Sequence, residues 1–178
     1  WEIIKSGDGN KFLKTIEFYP EEGTYYNDGH RDCEVSLAPR ETKKKKEICP
    51  VCKKKITVGV LHRIDDLADR SEKNIPDKFI PHRYIVPLRE IIAGCFEVGA
   101  TSKKVETEYR SMLGKLGSEF EILLKIGIED IKKSVSDKNI AIGIDNMRKG
   151  IVRVVPGYDG EYGEVDVFPK GKVIEYSK

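Results

Sequence analysis

The chain has 178 residues, 39% apolar and 35% charged, with a net charge of +2 from 32 basic and 30 acidic side chains. That balance belongs to a folded globular protein and excludes a disordered one, and so small a net charge makes no case for nucleic acid unless basic residues concentrate locally. No stretch approaches the roughly 20 apolar residues of a membrane span, and Trp1-Glu2-Ile3-Ile4-Lys5 lacks the layout of a signal peptide. A cytoplasmic protein without membrane contact is therefore expected, and a first residue other than methionine fits a chain that is processed, trimmed or cut from a longer protein.

Along the chain, residues 11–19 alternate well enough to predict a strand that Pro20 and the Glu21-Glu22-Gly23 turn end. Residues 25–60 carry two short ligand knuckles, with β-rich Cys33–Leu37 and Ile56–Val60 predicted as the strands leaving them. Between and just after the knuckles, within sixteen residues, lie Arg40, Lys43, Lys44, Lys45, Lys46, Lys53, Lys54 and Lys55, which form either a solvated loop or a phosphate-contacting surface. Ile64, Leu67 and Ala68 predict a short helix over 63–70, and a linker with Pro76, Pro81 and Pro87 follows. Pro87 suits the first turn of a helix to Glu97, and Thr101-Ser102 opens another to about Gly114. Apolar periodicity then runs from Phe120 to Met147, and Gly117, Gly127 and Gly150 separate short helices, which predicts a compact bundle. Ile151–Val155 and Glu164–Phe168 bracket a glycine-rich hairpin turn over 156–163, and a last strand is expected at 172–176.

The cysteines carry the chemistry. With no export signal, four cysteines argue poorly for disulfides. His30-x-x-Cys33 and Cys49-x-x-Cys52 instead pair as two knuckles, the arrangement by which a zinc ribbon supplies four ligands to a tetrahedral ion. A redox CxxC would stand between a strand and a long helix, and Lys53-Lys54-Lys55-Ile56-Thr57-Val58 does not look like one. His62 is the rival to His30 as fourth ligand, Cys95 looks like a core thiol on a helix, and Lys53 stands where a turn favours glycine. The expected fold is α+β: a small zinc ribbon over 25–62 preceded by a junction strand in 1–24, then a short-helix domain over 63–150 and a terminal β-hairpin over 151–178.

Three histidines make a thin catalytic inventory, and no phosphate-binding loop, nucleophile elbow or HExxH helix is present. No catalytic residue is assigned, and the chain alone reads as a binding module. Carboxylates such as Glu17, Glu21 and Asp65 could form a second metal site only if the fold brought them together, as an autonomous metal-dependent hydrolase would need.

Lys14–Gly23 through Asp28-Gly29-His30-Arg31-Asp32-Cys33, together with Cys49-Pro50-Val51-Cys52, Thr57–Arg63, Leu67-Ala68-Asp69-Arg70 and Pro156-Gly157-Tyr158-Asp159-Gly160, resemble the carboxy-terminal part of endonuclease Q and related PHP-domain proteins, some labelled helicase-like. The resemblance implies DNA repair: nicking beside deaminated bases by metals of an upstream PHP domain, whose motifs this chain lacks. It implies zinc on His30, Cys33, Cys49 and Cys52, and a damaged duplex as partner. It departs from the family at Tyr26, where histidine is expected, and at Lys53, where glycine is expected. On that reading Tyr25, Tyr26 and Asn27 offer stacking faces and an amide to a flipped base, or else serve as packing residues, and Arg31, Lys43, Lys44, Lys45, Lys46, Lys53 and Lys54 meet phosphates. The alternative is a zinc-ribbon module that docks proteins and leaves DNA alone.

Overall fold

The computed structural model describes residues 1–71, 74–75 and 79–169 and the backbone of 174–175. Pro76, and Lys172, Val173 and Tyr176 of the expected last strand, lie outside the described residues. The structure mixes helix and sheet, with a Cys/His cluster and a terminal hairpin, as the α+β expectation has it. Its elements are α1 (Glu2–Ser6), β1 (Thr15–Glu17), β2 (Asp28–His30), β3 (Val35–Leu37), α2 (Pro39–Lys44), α3 (Val60–Leu67) and β4 (His82–Tyr84), then α4 (Leu88–Phe96), α5 (Lys103–Leu116), α6 (Glu119–Leu124), α7 (Ile128–Ser134), α8 (Asn139–Lys149), β5 (Ile151–Val155), β6 (Glu164–Asp166) and β7 (Ile174–Glu175). Contacts divide them into two compact units, Trp1–Arg83 with Val154–Glu164, and Tyr84–Arg153 with Val165–Lys178.

The first unit is built on two hairpins. β2 and β3 pair antiparallel with Gly29 opposite Ser36 and His30 opposite Val35. The second hairpin closes through the Cys49 N–H on the Lys54 carbonyl and the Ile56 N–H on the Glu47 carbonyl, both at 2.8 Å. Gly29 and Thr57 exchange both backbone hydrogen bonds at 2.9 Å and so join the hairpins. Val35, Cys49 and Ile56 form the small core between them, with Cys33, Leu37 and Cys52 packed against it. α2 begins at Pro39, whose fixed φ suits a first turn, and Glu41 reaches back to accept the Ala38 N–H.

A distant stretch completes this unit. The Asn27 N–H donates to the Gly157 carbonyl, and the N–H groups of Gly157, Gly160 and Gly163 donate to the carbonyls of Glu21, Thr24 and Glu22. A Cβ at Gly157 would lie 2.4 Å from the Gly23 carbonyl oxygen, and one at Gly163 only 2.0 Å from that of Glu21. These glycines are there so that two backbones can touch. Within the stretch Tyr158 and Glu161 exchange backbone hydrogen bonds across Asp159 (φ 45°) and Gly160 (φ 91°), the double left-handed turn that an Asp-Gly pair favours.

The second unit is helical. Leu88, Ile91, Ile92, Val105, Met112, Ile122, Leu123, Ile131, Ile140, Ile144, Met147 and Val152 are buried at its centre. Ser102 caps α5 by accepting the Val105 N–H, and Ser118 with Glu121 makes a reciprocal capping box at α6. Gly117, Gly127 and Gly150 stand at helix ends, where the sequence breaks the periodicity. β5 lies between β6 and β7.

Several expected boundaries move. The 11–19 strand shortens to β1, and 20–22 form a 3-10 turn begun by Pro20. The 56–60 strand does not form: only Lys55 and Thr57 make isolated bridges, and Gly59, held by Asp28, turns the chain into α3. The helix expected over 63–70 accordingly runs from Val60 to Leu67. β6 stops at Asp166, whose carboxylate accepts the Phe168 N–H. Lys43 and Lys44 sit on a helix, not in a loop.

Candidate metal centre and nucleic-acid surface

His30 ends β2, and the 3-10 turn Arg31–Cys33 swings Cys33 back beside it; Cys49 and Cys52 flank the turn of the second hairpin. The residues after both knuckle cysteines, Glu34 (φ 52°) and Lys53 (φ 61°), are left-handed, which is why glycine is favoured at the second. One ligand atom from each of His30, Cys33, Cys49 and Cys52 lies within 4.8 Å of all the others. His30 Nε2 is 3.8 Å from Cys52 Sγ, close to the roughly 3.6 Å between a nitrogen and a sulfur ligand of a tetrahedral ion. All three cysteines are free of disulfides. Burial, then the neighbouring Cys52 and Cys49, push the Cys33 thiol up to about 11. Burial opposes ionisation of Cys49 too, but the backbone N–H groups of Cys52 and Val51 outweigh it and hold that thiol below its ordinary value. Three sulfurs and an imidazole with no carboxylate among them are a donor set for a soft or borderline cation, and such an ion would hold all three as thiolates. The residues present fit a tetrahedral metal.

His62 is not part of this group. Its Nδ1 donates to Asp28 Oδ2 at 2.6 Å, and the other Asp28 oxygen accepts the Gly59 N–H at 2.7 Å. Both side chains are buried, so the pair is a bolt between β2 and the start of α3. Among the described residues no second group of three such ligands converges. Glu17 accepts from the Thr15 hydroxyl, and Asp65 and Asp66 both pair with Lys43 at 2.7 Å.

Around the cluster, Tyr25 and Arg31 are exposed, while Tyr26 and Asn27 are half-buried. The Asn27 amide donates to the Ser36 hydroxyl at 3.2 Å. Lys44, Lys45, Lys46, Lys53 and Lys54 are exposed, and Lys53 Nζ also donates to the Pro50 carbonyl at 2.7 Å. Lys43 differs from them, since its bridge to Asp65 and Asp66 ties α2 to α3. Sequence reasoning missed two features. One is the Asp28–His62 pair. The other is Asp159, whose Oδ2 accepts the Arg31 N–H at 2.7 Å. The Asp-Gly turn signalled a hairpin but nothing about where its carboxylate goes.

This site and fold define a protein with a Cys/His group able to hold a metal ion and a helical second unit, and similarity to known proteins narrows the class. Residues 87–151 match the family described as the MJ0043 C-terminal domain. The chain is 29% identical over 170 residues to the uncharacterized protein MJ0043 of Methanocaldococcus jannaschii, covering 95% of this chain and 21% of that one. Among solved structures it is similar to the lesion-specific endonuclease PfuEndoQ of Pyrococcus furiosus, at 30% identity and a TM-score of 0.74 over 85% of this chain and 37% of that one. It is likewise similar to endonuclease Q in complex with a 27-mer duplex bearing an abasic lesion, at 31% identity and a TM-score of 0.73 over 90% of this chain and 40% of that one. In sequence and fold the chain corresponds to the C-terminal region of endonuclease-Q-like proteins. It spans well under half the length of each of these relatives.

Proposed function

We propose that this chain is the zinc-binding, DNA-contacting part of an endonuclease-Q-like repair protein that nicks DNA at deaminated bases. It supplies grip and lesion recognition, while a PHP domain of the same polypeptide supplies hydrolysis. The observation that carries the reading is the likeness to an endonuclease Q held on a lesion-bearing duplex. A structural zinc on His30, Cys33, Cys49 and Cys52 fits the donor set and its spacing. When bound it would crosslink the two hairpins; this chain's own residues then present the contacts. Lys44, Lys45, Lys46, Lys53 and Lys54 meet phosphates, displacing counterions and giving salt-dependent affinity. Lys43 holds the helix that carries the first of them. Tyr25, Tyr26, Asn27 and Arg31, beside the first knuckle, take the extruded nucleotide by stacking and base-edge hydrogen bonds.

One observation favours a second reading, a protein-docking module: Val60, Ile64 and Leu67 are exposed at helical spacing along α3. Equilibrium binding to duplexes with and without one deoxyinosine separates the two, measured at roughly 50 and 200 mM salt. Tighter lesion binding that weakens with salt is expected. Equal, salt-sensitive binding would leave a general DNA grip and move lesion choice elsewhere, and no binding at either salt would favour docking.

A further inference from the structure

The first metal knuckle is held from outside by a turn more than a hundred residues away. Asp159 Oδ2 accepts the N–H of Arg31, the residue directly after His30, at 2.7 Å. The same turn is pinned at both ends to residues 21–27 through the backbone bonds of Gly157, Gly160 and Gly163. Tyr158 lies so close over Gly29 that a Cβ there would meet its ring at 2.3 Å. The carboxylate therefore has no freedom to drift from the His30–Arg31 peptide. Metal sites depend on outer groups that hold their ligands in place, and here the carboxylate acts through the Arg31 peptide, not through the His30 ring, whose Nδ1 has no hydrogen-bond partner among the described residues.

We infer that Asp159 is a positioning residue for the metal centre: its charged carboxylate fixes the His30-x-x-Cys33 turn through the Arg31 N–H. This rests on the metal reading of the cluster. It also makes the metal unit discontinuous, so that a ribbon cut at residue 62 lacks part of its own site.

Zinc affinity of the full chain, by competition with a chromogenic chelator at fixed pH, tests this with the parent, Asp159→Asn, Asp159→Ala and the remote control Asp130→Asn. The asparagine keeps an acceptor for the Arg31 N–H but removes the charge. Outer-shell losses of about 10- to 100-fold are typical, so we expect about 10-fold weaker binding for Asp159→Asn, about 100-fold for Asp159→Ala, and none for the control. Circular dichroism of the zinc-saturated variants checks that they still fold. A parent that binds no zinc would defeat the metal reading and this inference with it. A parent that binds while both Asp159 variants stay within about twofold of it would defeat the inference alone. Loss in the alanine variant with a parent-like asparagine variant would overturn the electrostatic half.

Discussion

Two histidines with opposite fates show how much a single contact decides. His30 faces Cys52 across the metal cluster, while His62 is spent on Asp28. Both precede or follow short β-rich runs, and sequence spacing alone leaves them rivals. The difference lies in the buried Asp28 carboxylate, which needs a partner and finds His62. His30→Ala should therefore abolish stoichiometric zinc. His62→Ala should keep the metal while lowering stability by about 3 kcal/mol, because it strands a buried carboxylate. Metal analysis together with denaturant unfolding of both variants reads the two effects, and metal loss in His62→Ala would reverse the assignment. Lys53 is a smaller case: its left-handed backbone carries a strain of about 1 kcal/mol that glycine would relieve. Lys53→Gly should raise the unfolding midpoint of the metal-loaded protein slightly, offset in part by loss of the Pro50 contact; a lower midpoint would contradict this.

At the scale of elements, what was legible in the sequence tracks where local chemistry rules. The helices of the second unit declare themselves by caps and periodicity: Ser102, Gly117 and Gly150 act where they stand. The ligand spacing of the knuckles is equally local. By contrast, α2 follows an Ala-Pro step in a lysine-rich run and is tied to α3 by Lys43 bridging Asp65 and Asp66, a contact that no short window contains. That bridge carries a pH signature. Lys43 holds both carboxyls below the usual range, so their contribution is present above the ordinary Asp value and is lost as pH falls through the folded one. Lys43→Met should accordingly lower the unfolding midpoint slightly at neutral pH and flatten its acid limb below about pH 4, parent and variant converging once both carboxyls are protonated. An unaltered acid limb would show that the bridge contributes nothing.

For the whole molecule, the least legible feature is that 154–164 returns to the first unit, stitched there by backbone hydrogen bonds and close glycine contacts. Glycine spacing advertises a turn but not its address. The consequence is an energetic division: among the described residues the core between the first unit's hairpins is small, Val35, Cys49 and Ile56 with Cys33, Leu37 and Cys52 against them, whereas the second unit buries a full set of helical side chains. So small a core depends on metal-binding energy. Chelation should melt the first unit and spare the helical one, visible as two separated transitions in place of loss of the whole far-ultraviolet signal; a single cooperative loss would contradict the division.

In the proposed function the unit that carries the Cys/His group is the face that meets DNA. Hydrogen–deuterium exchange of the zinc-loaded chain, with and without a lesion-bearing duplex, tests that most directly. Protection is expected across Tyr25–Cys33, Lys44–Lys54 and Tyr158–Tyr162. Protection confined to the helices of the second unit, or none at a saturating concentration of duplex, would contradict it.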